Sequence, residues 1–192
     1  MRNEIGYLVS LIEPLDQMEQ GHIDFVLHWI ESGSEIFRVV KPATPDTHLV
    51  SYFVVFDRDA NKVLLVDHKK ALLWLPTGGH VEKDEHPAEA VKREAKEELG
   101  IELDCMFDQP LFLTVTKTVG LTAGHTDVSL WYVLKGDCSI PLNYDKEEFN
   151  GVCWFDLEEI PYDRSDPHMK RFIEKLKNRM LLAASCRDEI DS

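Results

Sequence analysis

Four glutamates and one arginine fall within a short stretch of the sequence, at a spacing that could hold a metal ion on a phosphate. They are Glu85, Arg93, Glu94, Glu97 and Glu98. Because residues at i, i+3 and i+4 share one face of a helix, the last three carboxylates would lie together and repel one another. A hard cation with oxygen ligands would neutralise them, and Mg²⁺ on substrate phosphates is the leading case. The pattern therefore predicts a site for metal-assisted chemistry on a diphosphate.

The segment from Pro87 to Leu99 is predicted to be the helix that presents these carboxylates. Pro87 suits the first helical position, where its missing N–H costs nothing. The following residues are mostly strong helix formers, and Gly100 supplies the left-handed conformation that commonly ends a helix. Ala90 and Val91 can face a sheet on the opposite side, so the acidic face is free to bind.

A solvated acidic helix face is the plainer interpretation of a lone acidic patch, but here seven residue identities fall at prescribed spacings. The full pattern is Gly79, then Glu85, then Arg93-Glu94-Ala95-x-Glu97-Glu98-x-Gly100-Ile101. It resembles the Nudix box, the signature of the Nudix hydrolase family of MutT-like pyrophosphohydrolases. Two positions depart from the common pattern, since Pro76 is followed by Thr77 and Asp84 stands where many members have glycine.

The resemblance implies a Mg²⁺-dependent enzyme, with Mn²⁺ as a substitute, that cleaves the diphosphate of a nucleoside diphosphate linked to another group. It implies that Glu94, Glu97 and Glu98 are the core metal ligands and that the carbonyl oxygen of Gly79 is a further one. Glu94 could instead be the base that activates water, because the roles vary among subfamilies. Arg93 is expected to orient a glutamate, a task that suits an arginine fork.

The other acidic candidates flank the helix. Glu85 lies before its positive end and is expected to support the loop, hold an outer metal or face the substrate. Some family members recruit one more acid from a downstream loop, and Glu148 occupies a matching place, although Glu147 could replace it. A solvated acidic loop is an equally good interpretation of these two. The favoured substrate is a nucleoside triphosphate or an oxidised deoxynucleotide; ADP-ribose, a nucleotide sugar and a dinucleotide stay open.

Three histidines are candidates for the mouth of the site. His80 directly follows Gly79, and His125 with Asp127 would share one face of a strand, as would suit contact with phosphate or proton transfer. His68 is the third. A hydrogen-bonded structural role is the commoner one for each histidine, and His80 is the strongest functional candidate.

The surrounding pattern predicts an N-terminal helical extension with a linker (residues 1–44) and a Nudix domain (residues 45–192). In the extension, apolar stripes predict helices with a break at Pro14, and core packing is the plainest role, with a homodimer interface or a substrate cover left open. Strands are predicted at Leu49–Phe56, Val63–Val66, Leu111–Val119, Asp127–Leu134 and Gly151–Phe155. A tight turn is predicted at Gly78–Gly79, and a last helix over 167–184. These elements predict an α/β/α sandwich with a mixed sheet, which the Nudix resemblance also implies.

Composition limits the partners. The chain carries 35 acidic against 21 basic residues, a net charge of −14, which argues against nucleic acid and anionic membranes. A small phosphorylated partner remains compatible, because bound metal reverses the local charge. With four cysteines in no CxxC pair and no 18-residue apolar run, we expect a soluble cytoplasmic protein with free thiols.

Two other functions share this fold. An enzyme like isopentenyl-diphosphate isomerase would need a catalytic cysteine beside the metal, and neither Cys105 nor Cys138 has a context that supports one. A nucleotide-sensing regulatory Nudix domain is the other alternative. Because such sensors often lose glutamates of the box and none is lost here, the hydrolase is favoured.

Overall fold

The computed structural model describes residues 1–41, 44–118 and 124–188, with side chains to residue 183, so the end of the predicted strand at Val119 and part of the predicted linker lie outside it. Its helices are α1 (Arg2–Ser10), α2 (Gln17–Glu31), α3 (Pro87–Leu99) and α4 (Met169–Asp188), with a 3₁₀ turn at Tyr162–Arg164. Its strands are β1 (Thr47–Asp57), β2 (Lys62–His68), β3 (Leu73–Leu75), β4 (Thr77–His80), β5 (Phe112–Lys117), β6 (Thr126–Lys135) and β7 (Phe149–Asp156). Within these described ranges, no helix is both long and apolar enough to cross a membrane.

The seven strands form one mixed sheet with the order β3-β2-β1-β6-β5. Strand β1 runs parallel to β6, and the other pairs are antiparallel. Strand β2 pairs with β1 near Val55, and β4 pairs with β1 over Val50–Phe53. Strand β7 pairs with β2. The long strand β1 therefore lies at the centre of the molecule and holds β4 in place.

Helices cover both faces of the sheet, which confirms the predicted α/β/α sandwich. Side chains alternate along β1: Leu49 and Phe53 pack with α1, α2 and α3, whereas Val54 and Phe56 pack with α4. The sheet thus separates two apolar cores, and each helix buries its apolar stripe against one of them.

The N-terminal helices pack on the same core as α3, through buried residues such as Ile5 and Val26. The predicted break at Pro14 is confirmed, since α1 ends at Ser10 and α2 begins at Gln17. The carboxylate of Glu19, which is fully buried, accepts hydrogen bonds from Lys175 Nζ at 2.6 Å, Leu15 N at 2.7 Å and Leu113 N at 3.2 Å. This one side chain therefore joins α2 to α4 and β5.

The segment at Gly78–Gly79 differs from the sequence prediction. The predicted tight turn is strand β4, which pairs with β1 through Ser51 and Tyr52. Gly78 has φ 154°, and a Cβ there would overlap the Ser51 carbonyl oxygen and the Tyr52 side chain. The glycines are thus required for a close approach between strands, which local turn chemistry does not reveal.

Candidate active site

Helix α3 presents the acidic residues and has the predicted bounds. The His86 side chain caps it by accepting from Ala88 N at 3.1 Å, and Gly100 ends it with φ 69°. The buried face of α3 includes Ala95 and Leu99, and beside it Glu94 and Glu98 lie against Gly79 and Gly78 of β4. The helix is held rigidly by this packing, which fixes where its carboxylates lie.

Glu94 lies directly against Gly79 at the middle of β4. A Cβ on Gly79 would overlap the Glu94 carboxylate, so only glycine leaves room for that side chain. The carboxylate is 14% exposed and accepts a hydrogen bond of 2.7 Å from Arg93 Nη1. Burial, which outweighs the contact with Arg93, raises the pKa of Glu94 above its ordinary value.

Arg93 ties the loop before α3 to the helix. Its Nε and Nη2 donate to the two carboxylate oxygens of Glu85 at 2.9 and 3.0 Å, and Nη2 also donates to the His80 carbonyl oxygen at 3.2 Å. Although burial acts in the opposite direction, this fork lowers the pKa of Glu85. Asp84 adopts φ 64°, the left-handed conformation that the commoner glycine would also supply.

Glu98 is the most perturbed acid of the site. Its Oε2 atom is buried and has no hydrogen-bond partner among the described residues. Burial, and then the negative charges of Glu94 and Glu148, raise its pKa to about 9, and the Gly78 backbone N–H opposes this only in part. A buried carboxyl oxygen without a partner, beside two other carboxylates, is the arrangement that a bound cation would stabilise.

The remaining acidic candidates differ in exposure. Glu97 is 62% exposed and lies 3.7 Å from Arg93 Nη1. Glu148 is partly buried, acts electrostatically on Glu98, and its Oε1 lies 3.5 Å from His68 Nε2, a contact that lowers the pKa of Glu148. Glu147 is exposed. Of the two loop acids, Glu148 is therefore the one whose charge reaches the carboxylate cluster.

His80 and His125 lie together in a second group of side chains, apart from the glutamates. His80 Nε2 is 3.0 Å from Nε2 of His48, and His48 Nε2 is 3.3 Å from Asp127 Oδ1. Burial, and then the charge of Arg38, lower the pKa of His80 to about 4, so its imidazole is neutral at pH 7. Sequence reasoning missed His48, because only the pairing of β1 with β6 places it opposite Asp127.

Comparison with known proteins identifies the family. A family model of the NUDIX domain matches residues 47–176, and the chain belongs to this family. It is a hydrolase, a Nudix pyrophosphohydrolase by its family and its complete box.

Solved structures share the fold at low sequence identity. A Caenorhabditis elegans Ap4A hydrolase is 18% identical, with a TM-score of 0.59, over 69% of this chain and 97% of that one. A MutT NUDIX hydrolase from Burkholderia pseudomallei is 23% identical, with a TM-score of 0.53, over 66% and 95%. The Escherichia coli dihydroneopterin triphosphate pyrophosphohydrolase is 17% identical, with a TM-score of 0.52, over 66% and 92%.

Replacing Gly79 by alanine is expected to lower kcat/KM about a hundredfold, because the new Cβ displaces the Glu94 carboxylate and a shift of about 1 Å can have that effect. Gly21→Ala is the matched control, since a Cβ on Gly21 meets no atom within 4 Å. Steady-state kinetics of both variants, with circular dichroism to confirm folding, checks this. Equal activity of the two variants would show that the position of Glu94 does not matter.

Proposed function

We propose that this protein is a Mg²⁺-dependent Nudix pyrophosphohydrolase, with Mn²⁺ as a substitute, that cleaves the diphosphate of a nucleoside diphosphate linked to another group. The observation that carries the proposal is the carboxylate cluster of Glu94, Glu98 and Glu148. Its buried Glu98 Oε2 lacks a hydrogen-bond partner among the described residues, and mutual repulsion contributes to the raised pKa of Glu98.

The donor set fits a magnesium ion. Mg²⁺ prefers oxygen ligands and is usually bound by one or two carboxylates together with substrate phosphates. Glu94, Glu97 and Glu98, the Gly79 carbonyl oxygen and Glu148 would supply such oxygens. When bound, the ion would disperse charge on the phosphate oxygens and lower the pKa of a water molecule.

The chain's own residues would then provide position and proton transfer. Arg93 holds Glu94 at 2.7 Å and, through Glu85, fixes the loop before α3. Glu94 is also the candidate for the base that accepts a proton from water, as an alternative to its role as a metal ligand. Two nitrogen atoms of Arg93 donate hydrogen bonds to the Glu85 carboxylate. We therefore assign Glu85 to support of the loop rather than to substrate contact.

The substrate is proposed to be a small nucleotide, with nucleoside triphosphates and oxidised deoxynucleotides as the leading class. Two fold neighbours carry names that refer to phosphoanhydrides, an Ap4A hydrolase and a dihydroneopterin triphosphate pyrophosphohydrolase, which supports this chemistry and leaves ADP-ribose, nucleotide sugars and dinucleotides open. The charge of −14 disfavours nucleic acid as a substrate.

We also propose that the protein is cytoplasmic. Residues 1–44 are proposed to be an extension that packs on the domain formed by residues 45–192.

The cysteines favour hydrolysis over isomerisation. Cys105 forms a backbone β-bridge with Leu134, and its thiol interacts electrostatically with Lys92 and Glu89. Cys138 lies beside Asp57. Cys153 Sγ donates to the carbonyl oxygen of its neighbour Trp154. None of these described contacts is with a proposed metal ligand, whereas an isomerase would need a thiol beside the metal.

A substrate panel tests the proposal. The protein is incubated with Mg²⁺, then Mn²⁺, and with nucleoside triphosphates, 8-oxo-dGTP, ADP-ribose, nucleotide sugars, dinucleoside polyphosphates and NADH, and the products are separated by chromatography. We expect turnover of one class, release of a nucleotide and a second phosphate-containing product, loss of activity with chelator and recovery with Mg²⁺. Turnover that survives chelation, or silence of a folded protein across the whole panel, would contradict the proposal.

A further inference from the structure

A second cluster of metal-ligating side chains lies on the other face of the sheet. His48 and Asp127 are opposite each other in the parallel pair β1–β6, and His80 pairs with Val50 across β1 and β4. Alternation places His48 on the same face of β1 as Val54, which packs with α4. Glu94 meets Gly79 from the α3 side, so this cluster is separated from the carboxylates by the sheet.

Three distances between ligand atoms of the cluster are close to an edge of a coordination tetrahedron. Asp127 Oδ1 lies 3.3 Å from His48 Nε2 and 3.2 Å from His125 Nε2, and His80 Nε2 lies 3.0 Å from His48 Nε2. Ligands at about 2.0–2.1 Å from a tetrahedral Zn²⁺ are separated by roughly 3.3 Å. Yet Asp127 Oδ1, which is buried, has no hydrogen bond of proper geometry with any described residue.

Hydrogen bonds at the Nδ1 atoms of His48 and His125 leave their Nε2 lone pairs facing Asp127. His48 Nδ1 lies 2.8 Å from the Pro45 carbonyl oxygen, which can only accept, so Nδ1 carries the proton. His125 Nδ1 lies 3.2 Å from the Thr118 hydroxyl, which donates to the His125 carbonyl oxygen and so accepts from Nδ1. Metal-bound histidines are held by outer hydrogen bonds of this kind.

We propose that His48, His125 and Asp127 bind a zinc ion that is distinct from the magnesium of the box, and that His80 turns from its contact with His48 Nε2 to become the fourth ligand. The Nε2 atoms of His48 and His125 converge on Asp127 Oδ1 at 3.3 and 3.2 Å, an arrangement that a cation between them would stabilise. Imidazole ligands with one carboxylate suit Zn²⁺, whereas Mg²⁺ prefers oxygen ligands alone. His48 is fully buried, as expected for a site that excludes water.

The site would have a structural role. Its ligands come from the beginning of β1, the end of β4 and the beginning of β6, so one ion would fasten three strands beside the glycine-rich segment. A ligand that binds only the folded state raises its stability. At a free zinc concentration about one hundred times Kd, the melting temperature is expected to rise by about 5–10 °C.

The test is a titration with Co²⁺, followed by displacement with Zn²⁺, in excess Mg²⁺ to occupy the oxygen site. We expect one equivalent of Co²⁺ with intense visible absorption of a tetrahedral site, lost on addition of Zn²⁺. His125→Gln and Asp127→Asn should each weaken Co²⁺ binding at least tenfold. The control His28→Ala removes an exposed histidine of α2 and should leave the spectrum unchanged.

Absence of the absorption bands in the wild-type protein would overturn the proposal, as would full Co²⁺ affinity in a folded His125→Gln or Asp127→Asn variant. Asp127→Asn preserves side-chain shape, so it provides a second variant if His125→Gln fails to fold by circular dichroism. Because the readouts are absorption and melting temperature, a negative result leaves the hydrolase proposal intact. Conversely, a protein that binds zinc but hydrolyses no compound of the substrate panel would support the zinc site and contradict the hydrolase proposal.

Discussion

Replacing Glu98 by glutamine is expected to lower kcat about a thousandfold, or about 4 kcal/mol of transition-state stabilisation. The substitution preserves side-chain shape but removes the carboxylate charge at the point where burial and the neighbouring acids Glu94 and Glu148 already disfavour it. The fold should survive, because an amide at this buried position no longer repels those carboxylates. Steady-state kinetics over a range of Mg²⁺ concentrations measures the effect, and the Mg²⁺ requirement should rise as well.

The control for this loss is Glu102→Gln, which removes one acidic charge from an exposed residue paired with Lys96. We expect wild-type kinetics from it. If Glu98→Gln also keeps wild-type turnover, Glu98 is not a metal ligand and the assignment of the cluster is wrong. A rise in KM for substrate alone, with kcat unchanged, would instead indicate a role in binding the substrate's ground state.

Replacing Glu19 by alanine is expected to lower the free energy of unfolding by about 3–5 kcal/mol, because it leaves the buried Lys175 ammonium unpaired. The backbone N–H groups of Leu15 and Leu113 would also lose their acceptor. Burial already lowers the pKa of Lys175 against the effect of Glu19, so the unpaired group would be strongly disfavoured. Urea unfolding, followed by fluorescence, measures the loss.

Two further variants test whether the loss of stability comes from the buried ion pair of Glu19 and Lys175. Glu102→Ala, at an exposed ion pair, should give no measurable change, since such pairs contribute little. The double variant Glu19→Leu/Lys175→Met should be less destabilised than Glu19→Ala, because no charge is left buried. A single variant as stable as the wild type would mean that α2 is not coupled to α4 through this pair.

The sequence revealed those parts of the site that lie within one element. Helix α3 could be bounded because Pro87 and Gly100 mark its two ends, and the shared acidic face that we propose binds metal follows from helical periodicity. The α/β/α sandwich followed in the same way from the apolar patterns of strands and helices. These features are local, and each residue's part in them can be read from neighbours close in sequence.

Other features depend on contacts between distant segments. His48 faces Asp127 only because β1 and β6 run parallel in one register, and no periodicity within either strand indicates that pairing. Strand β4 was missed for the same reason, since its glycines serve a close approach to β1. The choice between Glu147 and Glu148 stayed open because a loop has no period that fixes which side chain turns inward.

Gly79 and His80 are neighbours in β4 that serve opposite faces of the sheet, one against Glu94 and the other against His48. A single residue inserted before Gly79 would exchange the faces of both residues, and Glu94 and His48 would each lose the neighbour that they have here. An insertion in the β1–β2 hairpin, by contrast, would leave both residues on their present faces. The acidic site and the proposed zinc site therefore depend on the length of the same short strand.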